Sequence, residues 1–161
     1  MNENSFKKEL LPNFLIVGAA KAATTTIHEY LKQHPNVFMT ERKEPCFFTF
    51  RNTTPKTYST GRQVNFYSKL NDYQKLFDGS REFKIKGESS TPYLYFYEKT
   101  IKNIKEVIDK HGGLKILIVL RNPIDRAYSQ YSMKVRDGVE EMSFENAIKI
   151  EKKRMQENAH F

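Results

Sequence analysis

The apolar run Phe14-Leu15-Ile16-Val17, bounded by Pro12 and Gly18, suits a strand buried on both faces. A loop of small residues follows. From Thr24 to Gln33, Ile27, Tyr30 and Leu31 recur at helical spacing until His34-Pro35, because the residue before proline avoids the helical region. Val37 to Met39 reads as a second short strand, and the polar, aperiodic stretch from Thr40 to Arg62 predicts a long loop, a common seat of function in a compact domain. Asn71 to Phe77 predicts a short helix capped by Asn71, followed by an Asp78-Gly79 turn and a strand near Glu82 to Gly87. Tyr97 to Lys110 predicts an amphipathic helix, with Ile101, Ile104, Val107 and Ile108 on one side, lysines opposite, and His111-Gly112-Gly113 as its stop. Lys115 to Leu120 (KILIVL) reads as a central parallel strand, and Asn122-Pro123 opens a helix that runs to about Arg136 and ends at Asp137-Gly138. Ser143 caps a last helix, with Phe144, Ala147, Ile148, Glu151 and Met155 along one stripe.

Strands alternating with helices predict an α/β fold, a mainly parallel sheet flanked by helices, in one domain over residues 1–161. The last helix runs almost to Phe161 with neither a stop signal nor a following strand, so the expected domain is incomplete. Composition adjusts this picture only slightly. With 39% hydrophobic and 13% aromatic residues the chain can fill a core, which excludes a disordered or fibrous class. The single cysteine, Cys46, rules out an intrachain disulfide and favours a reducing, cytoplasmic setting. The first residues lack the apolar core of a signal peptide, and no apolar run approaches the roughly 18 to 20 residues needed to span a bilayer. A soluble protein is expected. The formal charge of +8 favours an anionic cofactor or substrate, although Lys99, Lys102, Lys105 and the run Lys152-Lys153-Arg154 fit solvated helix faces.

The loop Gly18-Ala19-Ala20-Lys21-Ala22-Ala23-Thr24-Thr25-Thr26 lies between a strand and a helix, where backbone N–H groups, three hydroxyls and a lysine can cradle an anion. A Walker A loop has the same logic, but its spacing fails: Lys21 comes three residues after Gly18 and is followed by alanine. The segment resembles the 5′-phosphosulfate loop, G-x-x-K-x-G-T-[TS]-x-L, of sulfotransferases that use 3′-phosphoadenosine 5′-phosphosulfate (PAPS), particularly the bacterial and heparan-sulfate-type branch. Gly18, Lys21, Thr24 and Thr25 match, Ile27 replaces leucine, and Ala23 stands in the glycine position. If that position needs positive φ, alanine costs on the order of 1 kcal/mol.

Further along, Arg121-Asn122-Pro123-Ile124-Asp125-Arg126-Ala127-Tyr128-Ser129 resembles the family's 3′-phosphate motif, R-[ND]-P-x-x-R-x-x-S. That resemblance implies that Arg121 and Ser129 bind the 3′-phosphate, which ATP lacks. In the long loop, Lys43-Glu44-Pro45-Cys46-Phe47-Phe48 resembles the family's K-E-x-x-F-F segment, and the resemblance implies that Glu44 is the general base while Lys21 neutralises the leaving oxygens. Gly87-Glu88-Ser89-Ser90-Thr91-Pro92-Tyr93 resembles a segment lining the active site, with Ser90 where the heparan-sulfate branch has lysine. The expected cofactor site therefore comprises Gly18, Lys21, Ala22, Ala23, Thr24, Thr25, Thr26, Arg121 and Ser129. PAPS is the expected donor, adenosine 3′,5′-bisphosphate the product, and a hydroxyl, by analogy a carbohydrate's, the acceptor. No metal is expected, since His28, His34, His111 and His160 share no ligand spacing. Cys46, without a histidine partner in sequence, reads as a small loop or core residue. Two other readings stay open: a P-loop nucleotide phosphotransferase, and a noncatalytic basic module that binds polyanions. Nucleic acid is not the expected partner.

Overall fold

A computed structural model describes residues 8–53, 66–108 and 113–156. The chain divides into two compact units. Of the described residues, the first unit holds 8–53, 66–108 and 113–120, and the second holds 121–156.

In the first unit, β1 (Phe14–Gly18), β2 (Val37–Met39), β3 (Ile85–Ser89) and β4 (Lys115–Ile118) form a parallel sheet in the order β2-β3-β1-β4. The register pairs Phe14 with Gly87 and Lys115, and Leu15 with Glu88 and Ile116. The expected parallel α/β fold is present. Alternation along β1 divides the core between the faces of the sheet. Leu15 and Val17 pack with Phe47, Phe48, Tyr73, Phe77, Tyr93, Ile104, Val107 and Ile108, whereas Ile16 joins Val37 and Met39 with Ile27 and Leu31 against them. Ile27 and Leu31 reach the second cluster from α1 (Thr24–Lys32), the helix between β1 and β2. The first draws on α2 (Phe47–Phe50), α3 (Leu70–Gln74) with its 3₁₀ extension Lys75–Phe77, α4 (Pro92–Tyr95) and α5 (Tyr97–Val107). Phe47 stacks on Tyr73 with centroids 4.3 Å apart. Gly87 has no room for a side chain: a Cβ there would lie 2.8 Å from both Met39 Sδ and Phe14 Cδ1, so glycine lets β3 sit between its neighbours.

Three details differ from the sequence expectation. KILIVL forms the short strand β4 at one end of the described sheet rather than its centre, with Ile116 and Ile118 exposed. β1 is its sole neighbour among the described strands. The helix expected at Asn71 begins one residue earlier, so Asn71 is inside α3 and no side chain caps it. The segment after Glu44 contains α2 rather than loop alone, while residues 54–62 of the expected loop, like the His111-Gly112 stop, lie outside the described residues.

The second unit contains α6 (Pro123–Arg136) and α7 (Phe144–Gln156). Asn122 caps α6 by accepting from the Ile124 N–H at 2.9 Å, and Pro123 occupies the first turn, where its missing N–H is harmless. Tyr128, Tyr131 and Phe144 pack together across the two helices. Glu140 and Arg154 form an ion pair at 2.5 Å. No helix among the described residues is long and apolar enough to cross a membrane.

Candidate active site

The strands of the first unit run parallel, so the segments that leave their carboxyl ends collect at one edge of the sheet, where ligands of open α/β folds bind. Gly18 ends β1 with φ 140°, and a Cβ would lie 3.0 Å from Leu94 Cβ and 3.4 Å from the Thr91 carbonyl. Glycine is needed there for conformation and for space. The loop then turns through Lys21 (φ 64°) and Ala23 (φ 63°), both left-handed. The conditional expectation about Ala23 is thereby met: alanine adopts the backbone that glycine would take without strain. Ala22 and Thr24 are buried, Lys21 is half-buried, and Ala23, Thr25 and Thr26 are exposed. No side chain caps α1 at Ala23, so the first N–H groups of the helix are not claimed by a cap. A helix N-terminus of this kind, with Lys21 in the preceding loop, suits a phosphate or sulfate group.

Glu44 follows β2 and is tied to the end of β3. Its N–H donates to the Ser89 carbonyl at 2.9 Å. Its carboxylate accepts from the Thr91 N–H at 2.8 Å, the Thr91 hydroxyl at 3.2 Å and Lys43 Nζ at 2.8 Å. Thr91 thus relates the two parts of the site, because its carbonyl also faces the space that a side chain on Gly18 would fill. Glu44 (φ 58°) and Cys46 (φ 54°) are left-handed too. Non-glycine residues in this region cost of order 1 kcal/mol each and persist where the surroundings hold them, a pattern that concentrates at functional sites.

The underside of the site is polar and buried. His28, one turn along α1 from Thr24, is fully enclosed with Nε2 3.1 Å from the Thr40 carbonyl, which requires the Nε2–H tautomer. Burial pulls its pKa below the usual histidine value. His28 thereby joins the phosphate-loop helix to the segment leading to Glu44. Cys46 is a buried residue, as expected, and burial pushes its thiol pKa up, away from nucleophilic character. Sequence reasoning passed over Glu88. Fully buried on β3, it accepts hydroxyl hydrogen bonds from Tyr73, Tyr93 and Ser90, and burial pushes its carboxyl pKa up to about 7. The available signal was its place in the Gly87-to-Tyr93 segment; the strand expected to stop at Gly87 in fact runs on through Glu88 to Ser89.

The first unit therefore holds Gly18, Lys21, Ala22, Ala23, Thr24, Thr25, Thr26 and Glu44. Arg121 and Ser129 belong to the second unit, Arg121 exposed just before α6 and Ser129 half-buried within it.

No family model matches the chain. It is 35% identical over 127 residues to bifunctional heparan sulfate N-deacetylase/N-sulfotransferase 2 of Homo sapiens, covering 75% of this chain and 13% of that protein. It is 26% identical over 157 residues to carbohydrate sulfotransferase 15 of Rattus norvegicus, covering 78% of this chain and 28% of the relative. Among solved structures, a sulfotransferase from Alicyclobacillus acidocaldarius matches with a TM-score of 0.77 and 38% identity over 91% of this chain and 59% of that one. The chain thus spans a minor part of these curated relatives and somewhat over half of the bacterial structure. Kinship at this level in both sequence and fold makes this chain part of a sulfotransferase-family domain.

Proposed function

We propose that this chain forms the donor-binding and base-bearing part of a sulfotransferase that uses PAPS and acts on a hydroxyl of a carbohydrate. The observation that carries the reading is Thr91, which holds the Glu44 carboxylate by two hydrogen bonds and whose carbonyl faces the space where a side chain on Gly18, at the start of the phosphate loop, would stand. A carboxylate to take a proton and a helix N-terminus to bind an anion are two of the groups that transfer from an anionic donor needs. The relatives named for heparan sulfate and carbohydrate sulfation support the acceptor class.

Bound PAPS would supply an activated sulfuryl group on a phosphate leaving group. The N–H groups at the start of α1, with the Thr24, Thr25 and Thr26 hydroxyls, hold the anionic 5′ end. Lys21 offsets negative charge on the leaving oxygens. Glu44, oriented by Thr91 and Lys43, takes the proton of the acceptor hydroxyl. Arg121 and Ser129 hold the 3′-phosphate, by charge-assisted and hydroxyl hydrogen bonds respectively.

Calorimetric titration with adenosine 3′,5′-bisphosphate, ADP and 5′-AMP tests the donor assignment. The bisphosphate is expected to bind tightest, with Lys21→Ala and Arg121→Ala each weakening it. Equal binding of the three nucleotides would overturn the assignment, and preference for ADP with magnesium would favour a phosphotransferase. Glu44→Gln is expected to spare nucleotide binding and remove sulfuryl transfer.

A further inference from the structure

Behind Glu44 lies a second carboxylate that this reaction does not use. Glu88 is fully buried, opposite Leu15 in the sheet register. Three hydroxyls donate to it: Tyr73 to Oε1 at 3.2 Å, Tyr93 to Oε1 at 2.5 Å and Ser90 to Oε2 at 2.8 Å. Two of these hydroxyls also accept. Ser90 Oγ takes the Cys46 N–H at 2.9 Å, and the Tyr93 hydroxyl takes the Phe48 N–H at 3.3 Å. A hydroxyl can donate to one partner while accepting from another, so each relays a backbone N–H to the same carboxylate. Hydrogen bonds in such chains polarise and strengthen one another.

The Cys46 N–H belongs to the turn that carries Glu44, and the Phe48 N–H to the first turn of α2, which continues directly from it. The backbone is left-handed at both Glu44 and Cys46, and such conformations last only where neighbouring contacts over-determine them. Ionised, Glu88 offers acceptors alone, so both hydroxyl protons point inward and both oxygens present lone pairs to the two N–H groups. An apolar side chain would fill the volume without the desolvation cost that pushes this carboxyl up to about 7, but it would leave the hydroxyls free to rotate.

We propose that Glu88 is a positioning residue for Glu44, orienting the Ser90 and Tyr93 hydroxyls so that they hold the Cys46 and Phe48 N–H groups, and with them the turn from which Glu44 projects. Its link to catalysis rests on Glu44 being the base; the hold on the turn does not.

Amide hydrogen exchange by NMR on the intact chain tests the hold. Glu88→Gln is expected to speed exchange at the Cys46 and Phe48 amides about tenfold, the effect of losing roughly one hydrogen bond, while the α5 amides of Ile104 and Val107 keep their rates. Unchanged exchange at Cys46 and Phe48 overturns the proposal. If Glu88→Gln loosens α5 as well, Ser90→Ala decides, since it keeps the carboxylate and removes one relay: faster exchange confined to Cys46 supports the proposal, and an unchanged rate overturns it. In sulfuryl transfer, Ser90→Ala is expected to lower kcat about tenfold through misplacement of Glu44, with KM for the nucleotide unchanged. A raised nucleotide KM at unchanged kcat overturns the positioning role. Glu44→Gln separates the two readings: turnover retained there removes the base assignment, and the exchange result still stands or falls on its own.

Discussion

Each unit of the molecule buries a glutamate, and the two are satisfied by different chemistry. Glu88, in the sheet unit, accepts from the neutral hydroxyls of Tyr73, Tyr93 and Ser90, and desolvation dominates, pushing its pKa up to about 7. Glu140, in the helical unit, faces Arg154 and the N–H groups of Glu141 and Met142, and its pKa is pulled down to about 2, chiefly by the Arg154 hydrogen bonds. A buried carboxylate with a guanidinium partner keeps its charge at any ordinary pH. One held by hydroxyls alone changes charge near neutrality, so the sheet unit is the half whose stability should respond to neutral pH.

The largest test of that contrast follows from Glu88. Its folded pKa is raised above the ordinary carboxyl value of 4.5, so its favourable contribution is complete below about pH 4.5 and is lost as pH rises through about 7. At about 1.4 kcal/mol per pH unit, the loss across that window is roughly 3 kcal/mol. Urea unfolding followed by circular dichroism at pH 5 and pH 8 should show this fall in the native chain and lose most of it in Glu88→Gln; an identical slope in the two proteins would break the contrast. Glu140 has the opposite sign: its contribution is present above about pH 4.5 and disappears as pH falls toward 2. Arg154→Ala should therefore destabilise the helical unit at pH 7 by about 1 to 2 kcal/mol, discounted because the arginine is partly exposed, with the difference shrinking in acid. Exchange rates of α6 and α7 amides read this directly.

A smaller effect is expected from Tyr93→Phe. One hydroxyl that lowers the Glu88 pKa is removed, so its titration, followed by the carboxyl carbon shift, should move above 7 by up to about one pH unit; movement downward would mean that the Tyr93 hydroxyl does not favour the charged carboxylate. The smallest change is Ala23→Gly. It relieves a left-handed alanine while loosening the unfolded chain, for a net gain of ~0.5 kcal/mol that is the same at pH 5 and pH 8. A pH-dependent gain would show that the phosphate loop and Glu88 are electrostatically linked.

The elements legible in the sequence were those written in local signals. Helix α6 runs from Pro123 to Arg136 as its Asn122 cap and Asp137-Gly138 stop imply, and β1, β2 and α1 match within a residue or so. Strand order is not local. KILIVL has the composition of a central strand, but its place beside β1 depends on pairing with residues about a hundred positions away. Helices α2 and α4, four residues each, are too short to carry a period. Glu44 was legible as a site residue through its motif, whereas its orientation depends on Thr91, 47 residues later. Glu88 was obscured because Tyr73 and Tyr93, the side chains that satisfy it, are found only by folding.

The stitching between the Glu44 turn and the end of β3 also sets the smallest piece of this protein that can be transplanted. Residues 40–50 are held by the Ser89 carbonyl, the Ser90 hydroxyl, the Thr91 N–H and hydroxyl, and the Tyr93 hydroxyl. A chimera that exchanged this segment alone with a relative would carry the turn without its template. Swaps of the Glu44 turn should move residues 40–50 and 87–94 together, as one cassette.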